Sequence, residues 1–372
     1  MNRLKIAILG TRGIPNNYGG FEYAAEKLSE GFVLRGHDVT VYNSHNHPCK
    51  KDSWNGVHLV HCYDPENDIG TAGQFIYDFN CIRDARKRNF DVILTLGYTS
   101  NAIWGRLYPK RSVIITNMDG LEWKREKYSG PVRFFLRHSE KLAIKHSDFF
   151  IADSIVIKNY VQEKYNVNPE YIPYGADLLP GELNGPFENS VSTEERQKHY
   201  LLMARMEPEN NVETILEGFH KSNSSKNFVV IGNAENRFGK YLINRFKNDD
   251  RIDFAGPIFD QGEVNDLLKK AYIYFHGHSV GGTNPSLLQA MANKALIASH
   301  QNAFNHAVLQ NDALYFSNYS DVQQIVDNIR VGKKEERMIN NNLEKINCEF
   351  NWQKIIDHYE QFIFQCYQKI NP

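Results

Sequence analysis

Short, nearly continuous apolar runs alternate with amphipathic stretches along this 372-residue chain, and that rhythm limits the folds open to it more than any other feature. Lys5-Ile-Ala-Ile-Leu9 leads into a glycine-rich loop, then into Phe21 to Leu34 with apolar residues near helical spacing, then into His37-Asp-Val-Thr-Val-Tyr42. A strand covered on both faces by helices has no polar side to display, so it reads as an unbroken apolar run. The alternation therefore predicts βαβ units with parallel strands. It continues through Asp91 to Leu96, Ser112 to Thr116 and Asp148 to Ala152. After a gap it resumes at Tyr200 to Ala204, Phe228 to Gly232, Ile252 to Ala255, Ala271 to Phe275 and Ala295 to Ala298. The fold class expected is α/β, with two doubly wound Rossmann-like sheets.

The gap sets the expected domain organisation. From Leu178 to Gln197 periodicity is lost, and Pro180, Gly181, Gly185, Pro186 and Ser192-Thr-Glu-Glu195 give the composition of a linker. The reading is a first domain over 1–178, a linker over 179–196 and a second domain over 197–351, in keeping with roughly 100 to 200 residues per domain. The last segment, 352–372, places Ile355, Ile356, Tyr359, Phe362, Ile363 and Tyr367 on one broad helical face that must pack against a core.

Composition narrows the function classes. With 43 Lys+Arg against 44 Asp+Glu the formal net charge is -1, so no overall field favours nucleic acid and an anionic ligand must meet a local patch. Five scattered cysteines without a C-x-x-C spacing indicate neither a disulfide framework nor a zinc knuckle and fit a reducing compartment. Apolar runs too short for a signal-peptide core or a membrane span lead to the expectation of a cytoplasmic protein.

Open α/β sheets bind ligands beyond the carboxyl ends of their strands, so the loops there are the candidates for chemistry. The first is Gly10-Thr-Arg-Gly-Ile-Pro-Asn-Asn-Tyr-Gly-Gly-Phe-Glu22, where Gly19 and Gly20 leave backbone amides open to a ligand. It lacks the third glycine of a dinucleotide fingerprint, which argues against an oxidoreductase despite a Tyr160-x-x-x-Lys164 pair. The second is His276-Gly-His-Ser-Val-Gly-Gly-Thr-Asn-Pro285, where Thr283 or Asn284 caps a helix that has Pro285 in its first turn. Free amides at such a start favour a bound phosphate by ~0.3–2 kcal/mol. His276 and His278 share a strand end but have no third ligand nearby, so they read as polar lining rather than a metal site. The third is Ala204-Arg-Met-Glu-Pro-Glu-Asn-Asn211, whose Arg205 offers a guanidinium fork suited to a diphosphate.

These motifs, with Asn117-Met-Asp-Gly-Leu-Glu-Trp-Lys-Arg125, Tyr171-Ile-Pro-Tyr-Gly-Ala-Asp177 and Gly281-Gly-Thr-Asn-Pro-Ser-Leu-Leu288, resemble the bacterial rhamnosyltransferases of glycosyltransferase family 4, in order along nearly the whole chain. The resemblance implies a GT-B fold in which two Rossmann-like domains face a central cleft and a C-terminal helix crosses back to the first. It implies a retaining transfer of rhamnose from dTDP-rhamnose to a lipid-linked saccharide in capsule or O-antigen synthesis, with no protein nucleophile. Asp119 and Arg205 become the catalytic candidates. Arg12, Gly19, Gly20, Asn210, Gly281, Gly282, Thr283, Asn284 and Gln289 become donor-binding candidates, and Glu22 and Glu122 acceptor-binding ones. No D-x-D occurs, so neither a metal nor another cofactor is expected.

Three positions depart from the broader family pattern. Asn210 stands where many members place a phosphate-binding lysine, Gln289 where a glutamate receives ribose hydroxyls, and Gly281 where a first glutamate is usual; Ala307 also lacks an expected acidic neighbour. A deoxyribose offers only its 3′ hydroxyl, which an amide oxygen at Gln289 can accept without the strength of a charged bond. The alternatives are a hexosyltransferase using a UDP- or GDP-sugar and a weakened homologue serving as a binding subunit of a glycan assembly complex. Between 124 and 145, Lys124, Arg125, Lys127, Arg133, Arg137, Lys141 and Lys145 alternate with Trp123, Tyr128, Phe134 and Phe135. Such a segment fits the inner membrane surface, making the protein peripheral there, or else a solvated helix with Phe134 and Phe135 turned to the core.

Overall fold

The structure is a computed structural model describing residues 3–118, 120–125, 128–177, 199–258 and 260–372. The chain divides into two compact units: Met1–Trp123 with Ser129–Tyr174 and Trp352–Pro372, and Lys124–Tyr128 with Gly175–Asn351. The expected linker, 179–196, lies outside the described residues.

In the first unit the chain runs β1 (Lys5–Leu9), α1 (Gly20–Leu34), β2 (Asp38–Ser44), β3 (Ser53–Trp54), β4 (Val57–Cys62), α2 (Glu66–Ile69), α3 (Gly73–Ala85), β5 (Val92–Leu96), β6 (Val113–Asn117), α4 (Gly130–His146), β7 (Phe149–Ala152), α5 (Ile155–Tyr165) and β8 (Glu170–Tyr171). Its sheet has the order β3-β4-β2-β1-β5-β6-β7-β8, parallel except for the β3–β4 pair. The apolar runs read from the sequence are its central strands: β5 and β6 are buried at every position. Strand β4 has no continuous apolar run, because His58 and His61 interrupt it beside the two-residue edge strand β3, where one side chain in two need not be apolar.

The second unit runs β9 (His199–Met203), α6 (Val212–His220), β10 (Asn227–Ile231), α7 (Arg237–Phe246), β11 (Ile252–Gly256), α8 (Gln261–Lys270), β12 (Ala271–His276), α9 (Pro285–Ala292), β13 (Ile297–His300), α10 (Ala303–Leu309), β14 (Leu314–Phe316), α11 (Tyr319–Asn328) and α12 (Lys333–Cys348). Its six strands are parallel in the order β11-β10-β9-β12-β13-β14. Aromatic rings fill the layer beneath: Tyr200 and Phe228 are buried and in ring contact with each other and with the buried Phe219 and Phe275.

The last helix, α13 (Trp352–Ile370), joins the core of the first unit. Ile355, Ile356, Tyr359 and Ile363 are buried there, each such side chain contributing roughly 1.5–3 kcal/mol. Gly31 of α1 lets α13 approach closely, since a β-carbon at that position would lie 2.6 Å from Ile356 Cγ2. Arg35 and His37 then pair with Glu360, at 3.2 and 2.8 Å.

Candidate active site

Strand order picks out one place in the second sheet. From β9 the chain winds outward through β10 and β11; it then returns to the other side of β9 with β12 and winds the opposite way through β13 and β14. The loops leaving β9 and β12 therefore diverge at a topological switch point, where an open α/β sheet leaves a crevice for a ligand. Those are the Ala204–Asn211 and Gly277–Asn284 loops.

The two loops are stitched together. Ser279 donates to the Glu209 carbonyl from its backbone N–H (3.0 Å) and its hydroxyl (2.8 Å), and the Asn211 side-chain amide donates to the Gly277 carbonyl (2.8 Å). Gly277 makes the approach feasible, because a β-carbon there would sit 2.0 Å from the Asn210 carbonyl oxygen. Arg205 and the start of α9 are thus carried by one rigid piece of backbone.

Arg205 is exposed and has no carboxylate partner among the described residues, so its charge is available to a ligand. Asn284 is the cap of α9: its side-chain oxygen accepts from the Ser286 N–H (3.0 Å) and hydroxyl (2.8 Å). Thr283 is buried beside it, and Gly281 and Gly282 are partly open. Asn210, in the place of the usual lysine, has a structural contact within the loop. It is buried, and its amide donates to the Arg205 carbonyl (2.8 Å), so it braces the loop that bears the guanidinium. Gln289, on α9, donates from its amide to the side-chain oxygens of Gln261 (2.9 Å) and Asn265 (3.1 Å), an arrangement that fixes the group and turns its N–H pair toward α8.

Two histidines and a glutamate lie behind this surface. The rings of His276 and His278 stack with centroids 4.6 Å apart. His276 is fully buried, and neither of its ring nitrogens has a hydrogen-bond partner among the described residues. Burial holds its pKa well below the usual imidazole range; burial, then the charges of Arg205 and Arg125, push His278 down to about 3. Both rings are neutral at physiological pH and contribute polarity rather than charge. Among the described residues no group of three His, Cys, Asp or Glu that could hold a metal includes them. Glu209 is buried, with Arg125 Nη1 3.7 Å from its Oε1, and was not singled out from the sequence. Its only local signal was a carboxylate one residue after Pro208, which does not distinguish a buried group from a solvated one.

In the first unit the glycine-rich loop leaves β1, beside the switch point between β1 and β5. Its conformation is set by buried side chains. Asn43 exchanges hydrogen bonds with both backbone groups of Ile14 (3.1 and 2.8 Å), His47 meets the Pro15 carbonyl at 3.0 Å, and Glu22 accepts from the Arg12 N–H (2.9 Å). Glu22 is accordingly a buried loop brace. Gly19 is the extended residue before α1, and the Gly20 carbonyl accepts from the Tyr174 hydroxyl. The Arg12 side chain forms a two-pronged pair with Glu66 (2.7 and 2.6 Å) and lies 3.9 Å over the Tyr18 ring. Its fork is occupied, unlike that of Arg205. Glu122 opens a short 3-10 turn, Glu122–Lys124, and a β-carbon at Gly120 would lie 3.3 Å from its Oε1. Asp119 lies outside the described residues.

From residue 130 onward the basic segment forms helix α4, but Phe134 and Phe135 on it do not turn to the core. Phe134 is 75% exposed and Phe135 36%, while Leu136, Ser139, Glu140 and Ala143 are the buried positions. The Tyr160 and Lys164 pair serves structure: both bond to the buried Glu140 carboxylate at 2.9 and 2.8 Å.

Comparison with known proteins bears on this geometry. Two Rossmann-like parallel sheets are the architecture of the GT-B fold, and the chain has that fold: it superposes on sucrose-phosphate synthase from Thermosynechococcus elongatus with a TM-score of 0.78 at 16% identity, covering 99% of this chain and 100% of that one. Anabaena HepE, in a complex with UDP and glucose, superposes with a TM-score of 0.73 at 14% identity over 98% of this chain and 100% of that one. Residues 187–345 match the model of glycosyl transferases group 1, and residues 3–177 match a domain of unknown function, DUF1972. The uncharacterized glycosyltransferase MJ1069 of Methanocaldococcus jannaschii is 24% identical over 74% of this chain and 75% of its own length. Together these matches support a glycosyltransferase.

Proposed function

We propose that the chain is a retaining, metal-independent glycosyltransferase that moves rhamnose from dTDP-rhamnose to a lipid-linked saccharide acceptor in the assembly of a bacterial capsule or O-antigen. The observation that carries the donor side is Arg205, without a carboxylate partner among the described residues, held on the same stitched backbone as the Asn284-capped start of α9. A leaving nucleoside diphosphate gains negative charge as the bond from the sugar anomeric carbon to the phosphate oxygen breaks. Preorganised donors at that point lower the barrier. In this reading Arg205 grips the diphosphate, the Gly281 to Asn284 amides complete the cradle, and neutral His278 supplies a hydrogen bond without competing for protons. The acceptor hydroxyl attacks from the face the diphosphate leaves, forms the new glycosidic bond and passes its proton to the departing phosphate oxygen. Asp119, Glu122 and Glu22 belong to the acceptor side of this proposal, although Glu22 acts by holding the glycine-rich loop. The exposed basic and aromatic face of α4 brings the protein to the inner membrane surface.

A second reading, a hexosyltransferase using a UDP-sugar, is favoured by the similarity to HepE, which was captured with UDP and glucose. Thermal unfolding with dTDP, UDP and GDP separates the two, since a nucleotide at 100 times its dissociation constant stabilises by about 2.7 kcal/mol. Stabilisation by dTDP above the others is expected, and replacement of Arg205 by Ala should weaken it by about tenfold or more, the loss of a charge-assisted pair. Equal stabilisation in the variant would refute the donor site.

A further inference from the structure

We propose that a hollow of about 480 Å³ between α4 and α5 is a seat for the phosphate head group of an anionic phospholipid. The inference rests on the reading of the 124–145 segment as bilayer-facing and adds what that segment recognises. The rings of Trp123 and Tyr160, with centroids 6.2 Å apart, line the hollow together with Arg137, Lys141 and Lys164. The Arg137 guanidinium lies 4.3 Å over the Trp123 ring. Lys164 is neutralised by the Glu140 carboxylate at 2.8 Å, and that carboxylate is itself buried. Arg137 and Lys141 have no carboxylate partner among the described residues, and both are exposed. The hollow thus presents two uncompensated cations one helical turn apart above an aromatic floor, chemistry that suits a phosphodiester attached to an apolar body.

The rim indicates where that body comes from. Phe134 lies one turn before Arg137 and His138 on the same stripe and is 75% exposed, while Val132 and Phe135 expose 39% and 36% on the adjoining face. Neither a soluble sugar phosphate nor a nucleic acid would cover an exposed phenyl ring at the mouth of the hollow together with Val132 and Phe135 outside its lining, whereas the acyl boundary of a leaflet would. Lys145, also exposed, extends the cationic stripe a further turn. An apolar rim beside unpaired cations is the pattern of a segment lying in the plane of an anionic interface.

The test is co-sedimentation of the full chain with unilamellar vesicles of phosphatidylcholine alone or mixed with phosphatidylglycerol. Binding is expected only to the anionic vesicles, falling as salt is added. Each basic residue near such a surface is worth about a fivefold change, so the double variant Arg137→Glu, Lys141→Glu should lose at least ~25-fold in vesicle affinity. Phe134→Ser should reduce binding with both cations intact. Equal binding to both vesicle types, no binding to either, or unaltered binding by the double variant would each overturn the proposal. Displacement from vesicles by millimolar glycerol phosphate would also overturn it, because the ligand would then be a soluble phosphate ester. Nucleotide-dependent thermal stabilisation, measured on the same variants, should persist and also reports that they are folded. Loss of vesicle binding by a variant that keeps its nucleotide response therefore supports the lipid seat, whereas nucleotide indifference of the unaltered chain sinks only the transferase reading.

Discussion

Replacing Gly277 by Ala tests whether the two loops of the second unit act as one piece. The added β-carbon would lie 2.0 Å from the Asn210 carbonyl oxygen and 2.9 Å from Ile215 Cδ1, and the first of these is backbone that cannot rotate away. The loops must part by more than an ångström to reach ordinary contact. Overpacking of this kind costs about 1–3 kcal/mol. Opening the gap also strains the Asn211 to Gly277 bond and the two from Ser279 to Glu209, each worth roughly 1 kcal/mol net. A loss of about 2–4 kcal/mol follows, which for a unit of this size lowers the midpoint by ~2–4 °C per kcal/mol. Function should suffer more than stability. Arg205 would move relative to the start of α9, and misplacement by an ångström in a site of this type costs up to about 100-fold in rate. Differential scanning fluorimetry with and without nucleotide, followed by turnover with the preferred donor, reads both effects. Should the variant melt within a degree or two of the parent and keep its nucleotide affinity, the loops are not held together in the way described and the shared site loses its foundation.

Two further tests concern ionisable groups. Asp78 is buried, and desolvation pushes its pKa up to about 7, so between about pH 4 and pH 7 the unfolded chain releases a proton that the folded one keeps and stability falls by ~1.4 kcal/mol per pH unit. Asp78→Asn should remove that slope and raise the melting temperature at pH 7.5 while leaving it nearly unchanged at pH 4; an unchanged slope in melts across this range would show that Asp78 is solvated. Asp249 behaves in the opposite sense: hydrogen bonds from Arg251 (2.8 and 2.7 Å) and His220 (2.8 Å) hold its carboxyl far below the usual range, and Arg251 in turn grips the carbonyls of Ser222 and Ser224. Its stabilising effect is complete above the unfolded carboxylate pKa of ~3.9 and is lost as pH falls toward the depressed value, so Asp249→Asn should cost about 1.5–3 kcal/mol in urea melts at pH 7 and progressively less below pH 4.

Much of the architecture was legible from local pattern. Strand identity, parallel pairing and the need of the C-terminal helix for a core all follow from runs of apolar residues and their period, properties of a few neighbouring positions. The Gly-Gly-Thr-Asn-Pro turn likewise announced its capped helix, because a cap is made within three residues. What only the tertiary structure decided is the partner of each polar side chain. Arg12 and Arg205 look alike in sequence, yet one is held by Glu66, 54 positions away, and the other is left without a carboxylate among the described residues. That the Asn210 amide supports the Arg205 loop is a contact its motif does not announce, while Phe134 and Phe135 were as compatible with a core as with the surface they occupy. Hydrophobic period acts over one or two turns of chain. Charge pairing and exposure depend on which distant segments the strand order brings alongside, and no local pattern carries that information.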